Sequence, residues 1–275
     1  MGVFRSFGIG ASTARAALAW VQRDPKSAAL RRTNFHGREV TLAGGPALAL
    51  GATAGAASGA ATTRLKAAVV TAGVVGGAVG LYDDIVGNRP EQKSAKGFAG
   101  HLGALREGRV TSGLVKIGGV GAAGLVASAL IGSRRRSGFG RGVDVLLGAG
   151  VIAGTANLLN LLDLRPGRAI KAGTLLGAPL AIGRGGALAA GTLGASTALL
   201  PADLDEEIML GDSGANALGA LLGVAFTART GTAGRLAALA ALASLTAASE
   251  KVSFTKVIHD TPWLRRLDEL GRRPA

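Results

Sequence analysis

The stretch Leu65-Lys-Ala-Ala-Val-Val-Thr-Ala-Gly-Val-Val-Gly-Gly-Ala-Val-Gly80-Leu-Tyr-Asp83-Asp84 decides how the chain is read. From Ala67 to Tyr82 it carries no charge, and it ends on two adjacent carboxylates. A bilayer-crossing helix needs roughly 20 mostly apolar residues. The apolar part here, 65–82, is of that kind, and so are 40–62, 110–132, 142–162, 169–183, 186–200, 210–228 and 232–249. Two of these, 169–183 and 186–200, are short, hold Gly and Pro179, and read as a hairpin of tilted or broken helices. A ninth candidate, 3–21, contains Arg5 and Arg15. A charge at mid-bilayer costs about 2.5–3.5 kcal/mol, so this helix is open to spanning, interfacial or shortened forms. Its interrupting charges do not read as a cleaved signal peptide. The expected fold is all-α, a polytopic transmembrane bundle of about eight or nine spans forming a single domain over 1–275. Residues 250–275 read as a basic cytoplasmic tail.

Composition supports a membrane solvent. Only 17% of the 275 residues are charged, against about 25% in soluble domains. Hydrophobic residues make up 48%, aromatics only 4%, Gly numbers 45 and Cys is absent. These values exclude a disordered tail and a disulfide scaffold. The net charge of +14 lies between apolar runs, which argues for a membrane and against nucleic acid as partner. Small-xxx-small spacings such as Gly51-Ala-Thr-Ala-Gly55 and Gly73-Val-Val-Gly-Gly77 allow close helix packing in lipid.

Alternating the connections between two sides puts 19 Lys and Arg on the side holding 22–39, 83–109, 163–171, 201–212 and 250–275, and 9 on the other. The positive-inside rule makes the first side cytoplasmic. The run Arg134-Arg-Arg136 with Arg141 opposes that trend. Sixteen of the 17 acids also fall on the first side, Asp144 being the exception. Because acids contribute little to topology, their gathering suggests a metal or substrate site at that face.

Four segments on that face carry the chemistry. Asp83-Asp84 closes an apolar helix, where the dipole disfavours anions, so a nearby cation such as Mg²⁺ is expected; a solvated helix end is the alternative. Downstream, Lys93-Ser-Ala-Lys96-Gly97 offers cations and backbone N–H groups to a phosphate. Asn157, Asn160 and Asp163 recur every third residue and line one helix face. Polar groups in a span mark a functional path or join helices. Gly211-Asp212-Ser213-Gly214-Ala-Asn216 opens a hydrophobic helix with an Asp between glycines. The tail holds His259-Asp260, which a solvated loop also explains.

Together with Arg32-Thr-Asn-Phe-His-Gly37 through Gly44-Gly45, these segments resemble the polyprenyl-phosphate N-acetylhexosamine-1-phosphate transferase superfamily, glycosyltransferase family 4, over about Arg32 to Asp260. That superfamily includes phospho-N-acetylmuramoyl-pentapeptide transferase and undecaprenyl-phosphate GlcNAc-1-phosphate transferase. The resemblance implies a cytoplasmic-face active site in the inner membrane. There a Mg²⁺-dependent enzyme would transfer a sugar-1-phosphate from a UDP-sugar to a polyprenyl phosphate, releasing UMP for cell-envelope glycan synthesis. It implies Asp212 as metal ligand and Asp83 and Asp84 as the catalytic pair. Asn157, Asn160 and Asp163 would line the nucleotide pocket, and Lys96 would contact phosphate. Where the family has a second Asp after Asp163, this chain has Leu164-Arg165-Pro166-Gly167-Arg168. Arg165 and Arg168 are therefore expected to bind a different or more anionic donor. Only His259 stands near the place of the family's His-rich loop. The partners expected are lipid phosphate, UDP-sugar and membrane, with a second copy of the chain admissible. A non-catalytic relative that binds polyprenyl phosphate or a partner transferase is the alternative.

Overall fold

The computed structural model describes residues 2–87, 89, 97–133 and 137–273. Within them run α1 (Gly2–Arg23), a 3-10 turn (Pro25–Leu30), strands β1 (Arg31–Thr33) and β2 (Glu39–Thr41), and α2 (Gly44–Ser58). Next come α3 (Thr63–Val86), α4 (Gly97–Arg106), α5 (Ser112–Ile131), α6 (Gly138–Leu162) and α7 (Arg168–Ala181). The chain continues through α8 (Gly186–Leu204), α9 (Gly211–Arg229), α10 (Thr232–Ser249), α11 (Phe254–Asp260) and α12 (Pro262–Glu269). Each of the nine apolar stretches contains a helix. Among the described residues five helices, α3, α5, α6, α8 and α10, are long and apolar enough to cross a membrane. The chain is, among the described residues, an all-α membrane bundle with almost no sheet.

Local chemistry explains the boundaries. Thr62, Thr111 and Ser137 accept from the backbone N–H groups of Leu65, Leu114 and Gly140 at 3.1, 3.2 and 3.0 Å. These hydroxyl caps start α3, α5 and α6. One expected helix begins late: α2 starts at Gly44, because 39–41 pairs with 31–33 in an antiparallel hairpin. That hairpin docks on the segment before α9, with the Met209 N–H donating to the Thr41 carbonyl at 2.8 Å.

The centre of the bundle is α9, buried continuously from Ser213 to Ala225. It shares one core with Leu48 of α2, Val69 of α3 and Ile152 and Leu159 of α6. Lipid supplies no hydrophobic drive between helices, so close contact must hold them. One such close contact is where α1, α2 and α8 cross at Gly10, Gly55 and Gly191. A Cβ on Gly10 would lie 2.0 Å from the Gly191 carbonyl oxygen, and one on Gly191 2.1 Å from the Gly55 carbonyl carbon. Thus α1, despite Arg5 and Arg15, is a packed member of the bundle, with Ser6, Gly10 and Ala14 turned inward. Gly191→Leu should destabilise the protein by about 3 kcal/mol or more through overpacking against backbone. An unchanged thermal midpoint in detergent would show that this crossing holds nothing. Outward, Leu125, Val126, Leu146, Leu175, Leu236 and Leu245 are exposed, as a lipid-facing surface requires.

Connections alternate between two ends. At one end, the starts of α5, α7 and α9 meet the ends of α3, α6 and α8, as the contacts below show. At the other, Arg229 donates to the Leu180 carbonyl, and Ser133 and Thr232 donate to Asp144 at 2.5 and 2.6 Å. The exceptional acid therefore does lie at the far end. The basic run 134–136 lies outside the described residues.

Candidate active site

The first end gathers four helices. Asp84, at the end of α3, accepts from the backbone N–H groups of Asp212 and Ser213 with its two carboxylate oxygens, at 2.9 and 3.0 Å. It caps α9 from another helix, where an anion meets the favourable end of the dipole. A Cβ on Gly80 would come within 2.4 Å of the Asp212 carbonyl oxygen, so glycine is what lets α3 and α9 touch there. Arg32 donates to the Asp84 carbonyl at 2.9 Å.

Asp83 turns to a different partner. The Lys116 ammonium, from α5, lies 2.6 Å from Asp83 Oδ2 and 2.5 Å from Asp212 Oδ2. Asn160, from α6, donates to Asp212 Oδ1 at 2.6 Å. Two carboxylates thus converge on one positive point. Their side chains are 13% and 27% exposed, enough shielding to strengthen the attraction and enough access for a ligand.

Next to this cluster a small cavity of about 190 Å³ is lined by Asn34, Asp163, Arg165, Asp203 and Glu206. Asp163 caps the end of α6. Burial, then the charges of Asp203 and Asp212, push its carboxyl well above the usual range. Glu206, at φ 56°, clamps the hairpin loop. It accepts from Asn34 at 2.5 Å and pairs with His36 at 2.9 Å. Burial raises its pKa, but the bonds from His36 and Asn34 outweigh that and hold it below the ordinary value.

Beyond lies a cationic cleft of about 600 Å³, lined among others by Phe35, Arg165, Lys256, His259, Arg265 and Arg273. The Arg165 guanidinium sits 3.9 Å over the Phe35 ring. His259 is on the exposed rim, 3.2 Å from Asp260. Arg168 also lines this cleft, but its guanidinium is tied to Asp268. Its Nε and Nη2 donate to the two Asp268 oxygens at 2.7 and 2.8 Å, and Nη1 donates to Thr255 at 2.9 Å. Arg272 adds a bond to Asp268 at 2.6 Å, and Lys171 donates to its carbonyl at 2.7 Å. Burial raises the Asp268 pKa, yet the hydrogen bonds and charge of Arg168 hold it low. The segment expected as a plain basic tail is therefore a folded arm, α11 and α12, fastened over the α6–α7 connection.

A third cavity, a groove of about 520 Å³, runs along α5, α6 and α10. Ile117, Val120, Leu239 and Leu242 line it, and Lys116 and Asn160 mark its site end. Asn157 faces this groove and donates to Thr246 of α10 at 3.1 Å.

The structure thus brings Asp83, Asp84, Asn160 and Asp212 together, with Asp163 beside them. It turns Asn157 to the groove and puts Arg165, Arg168 and His259 in the lining of the cationic cleft, Arg168 being paired there with Asp268 of the arm. Lys96 lies outside the described residues. Sequence reasoning missed Lys116, although a lone cation inside an apolar helix is by itself a pointer to a site. It also missed the Asn34–His36–Glu206 clamp, for which no local pattern exists. Among the described residues, no group of three or more His, Asp or Glu side chains forms a ready metal cage. No protein-family model and no curated protein matches the chain.

Proposed function

We propose that the protein transfers a sugar-1-phosphate from a UDP-sugar to a polyprenyl phosphate at the cytoplasmic face of the inner membrane, its eight or nine helices spanning the bilayer. One observation carries this reading: Asp83, Asp212, Lys116 and Asn160 from four helices converge beside the end of an apolar groove. Lipid-tail chemistry and phosphate chemistry thus adjoin.

The donor set fits Mg²⁺. Hard carboxylate oxygens from α3 and α9 converge where the structure places one ammonium. Mg²⁺ asks for only one or two carboxylates when substrate phosphates complete its shell. Asp212 and Asp83 would hold it. When bound, it would neutralise charge building on the transferring phosphoryl group.

The remaining steps fall to side chains. Lys116 donates to the lipid phosphate and keeps it beside Asp83. Asp84 acts through α9, fixing where Asp212 points. Arg165 and Lys256 offset the donor's diphosphate, and the Phe35–Arg165 pair offers a flat face to its base. An oxygen of the lipid phosphate attacks the sugar-bearing phosphorus, the bond to the bridging oxygen breaks, and UMP departs. A phosphate monoester is largely ionised at pH 7, so no strong base is needed.

The test is purified protein with polyprenyl phosphate and a panel of UDP-sugars. Release of UMP that requires both lipid and Mg²⁺ is the expected result. Lipid binding without release from any donor would leave the non-catalytic alternative standing.

A further inference from the structure

The site end of the groove holds one polar group that the internal bonding does not use. Asn216 lies on α9, one turn below Asp212, is 3% exposed and lines the groove. Its Nδ2 is buried and has no hydrogen-bond partner. The neighbouring polar groups are satisfied: Lys116 by Asp83 and Asp212, Asn160 by Asp212, and Asn157 by Thr246. An unpaired amide donor inside a helix bundle is costly. Around it α9 is built of Ala, Leu and Gly, so an apolar residue would suit the packing better. Side chains on a helix lean toward its N-terminus, which points Asn216 toward the Asp212 turn.

We propose that Asn216 is a specificity-determining donor for the acceptor. Its amide joins Lys116 in holding the head of a phosphate monoester whose apolar chain fills the groove. This rests on the acceptor reading given above. The occupant follows from the lining: the Lys116 cation and the Asn216 amide at the site end, one carboxylate, Glu250, also in the lining, and Ile117, Val120, Leu239 and Leu242 along the walls. An anionic head with an uncharged, flexible tail matches both. The unpaired donor sets how deep the head sits, and so separates phosphorylated from unphosphorylated chains.

The experiment measures binding of farnesyl phosphate, farnesol and inorganic phosphate to full-length protein in detergent. Asn216→Leu should bind farnesyl phosphate about tenfold more weakly, the worth of one hydrogen bond to a charged group. Its farnesol binding should not change, and its thermal midpoint should not fall, because no internal bond is lost. Asn216→Ala, which adds no volume, should behave alike. Wild-type affinity for farnesyl phosphate in both variants would overturn the role of Asn216 while leaving the acceptor reading intact. An equal loss toward farnesol would show that the residue only shapes the groove, which also overturns it. Inorganic phosphate matching farnesyl phosphate in wild type would remove the tail from the argument and sink the proposal. Wild type that binds no farnesyl phosphate would overturn the acceptor reading itself.

Discussion

Asp212→Asn should lower Mg²⁺-dependent UMP release by about 10³-fold, the range seen when one preorganised electrostatic group is removed from a reacting centre. The substitution keeps the shape and leaves an oxygen to accept from Asn160. What it removes is one of the two negative charges that meet at Lys116. Asp83→Asn should lower release comparably without loosening the fold, since its carboxylate faces the same ammonium. Asp84→Asn should differ in kind. Its two oxygens serve the α9 N-terminus, so that variant should lose thermal stability along with activity. Full release in Asp212→Asn membranes would remove Asp212 from the metal role.

Asp268→Ala has the second-largest expected effect. It leaves the Arg168 guanidinium, 6% exposed, without its bidentate carboxylate. Removing one partner of a buried ion pair costs about 3–5 kcal/mol. The protein can escape that cost by letting α11 and α12 detach, so the loss should be local. Limited proteolysis should cut between Ser249 and Pro262 well before the bundle unfolds, and UDP-sugar affinity should fall as the cationic cleft opens. Arg168→Lys, with Asp268 intact, should loosen the arm as well, because an ammonium lacks the planar fork that meets both Asp268 oxygens. An arm as resistant as wild type in Asp268→Ala would show that the pair is not what fastens it.

Much of the architecture was legible because lipid imposes one rule on every span. The apolar runs gave α2, α3 and α5 to α10 to within a few residues, since length and hydropathy alone set them. The aspartates at the site were legible because charge at the end of an apolar helix is rarely idle. Partners were not. Nothing near Asp84 says that it will cap a helix 128 positions away. Nothing near Arg168 announces Asp268, 100 positions on. The hairpin escaped notice because its strands are three residues each and carry Arg31, Arg32 and Glu39. Lys116 stands in the sequence as a lone cation inside an apolar helix. Its meaning depends on which helix ends stand beside it.

The crossing at Gly10, Gly55 and Gly191 locks α1, α2 and α8 backbone to backbone, whereas α10 leans chiefly on α6, with Leu239 and Leu242 set against Gly150 and Gly154. Rigidity is therefore shared unequally across the molecule. One half is a fixed frame, and the outer wall of the groove is a shutter hung from a single post. Displacing α10 from α6 would widen that groove while leaving untouched the close α3–α9 contact at Gly80 that carries Asp83, Asp84 and Asp212.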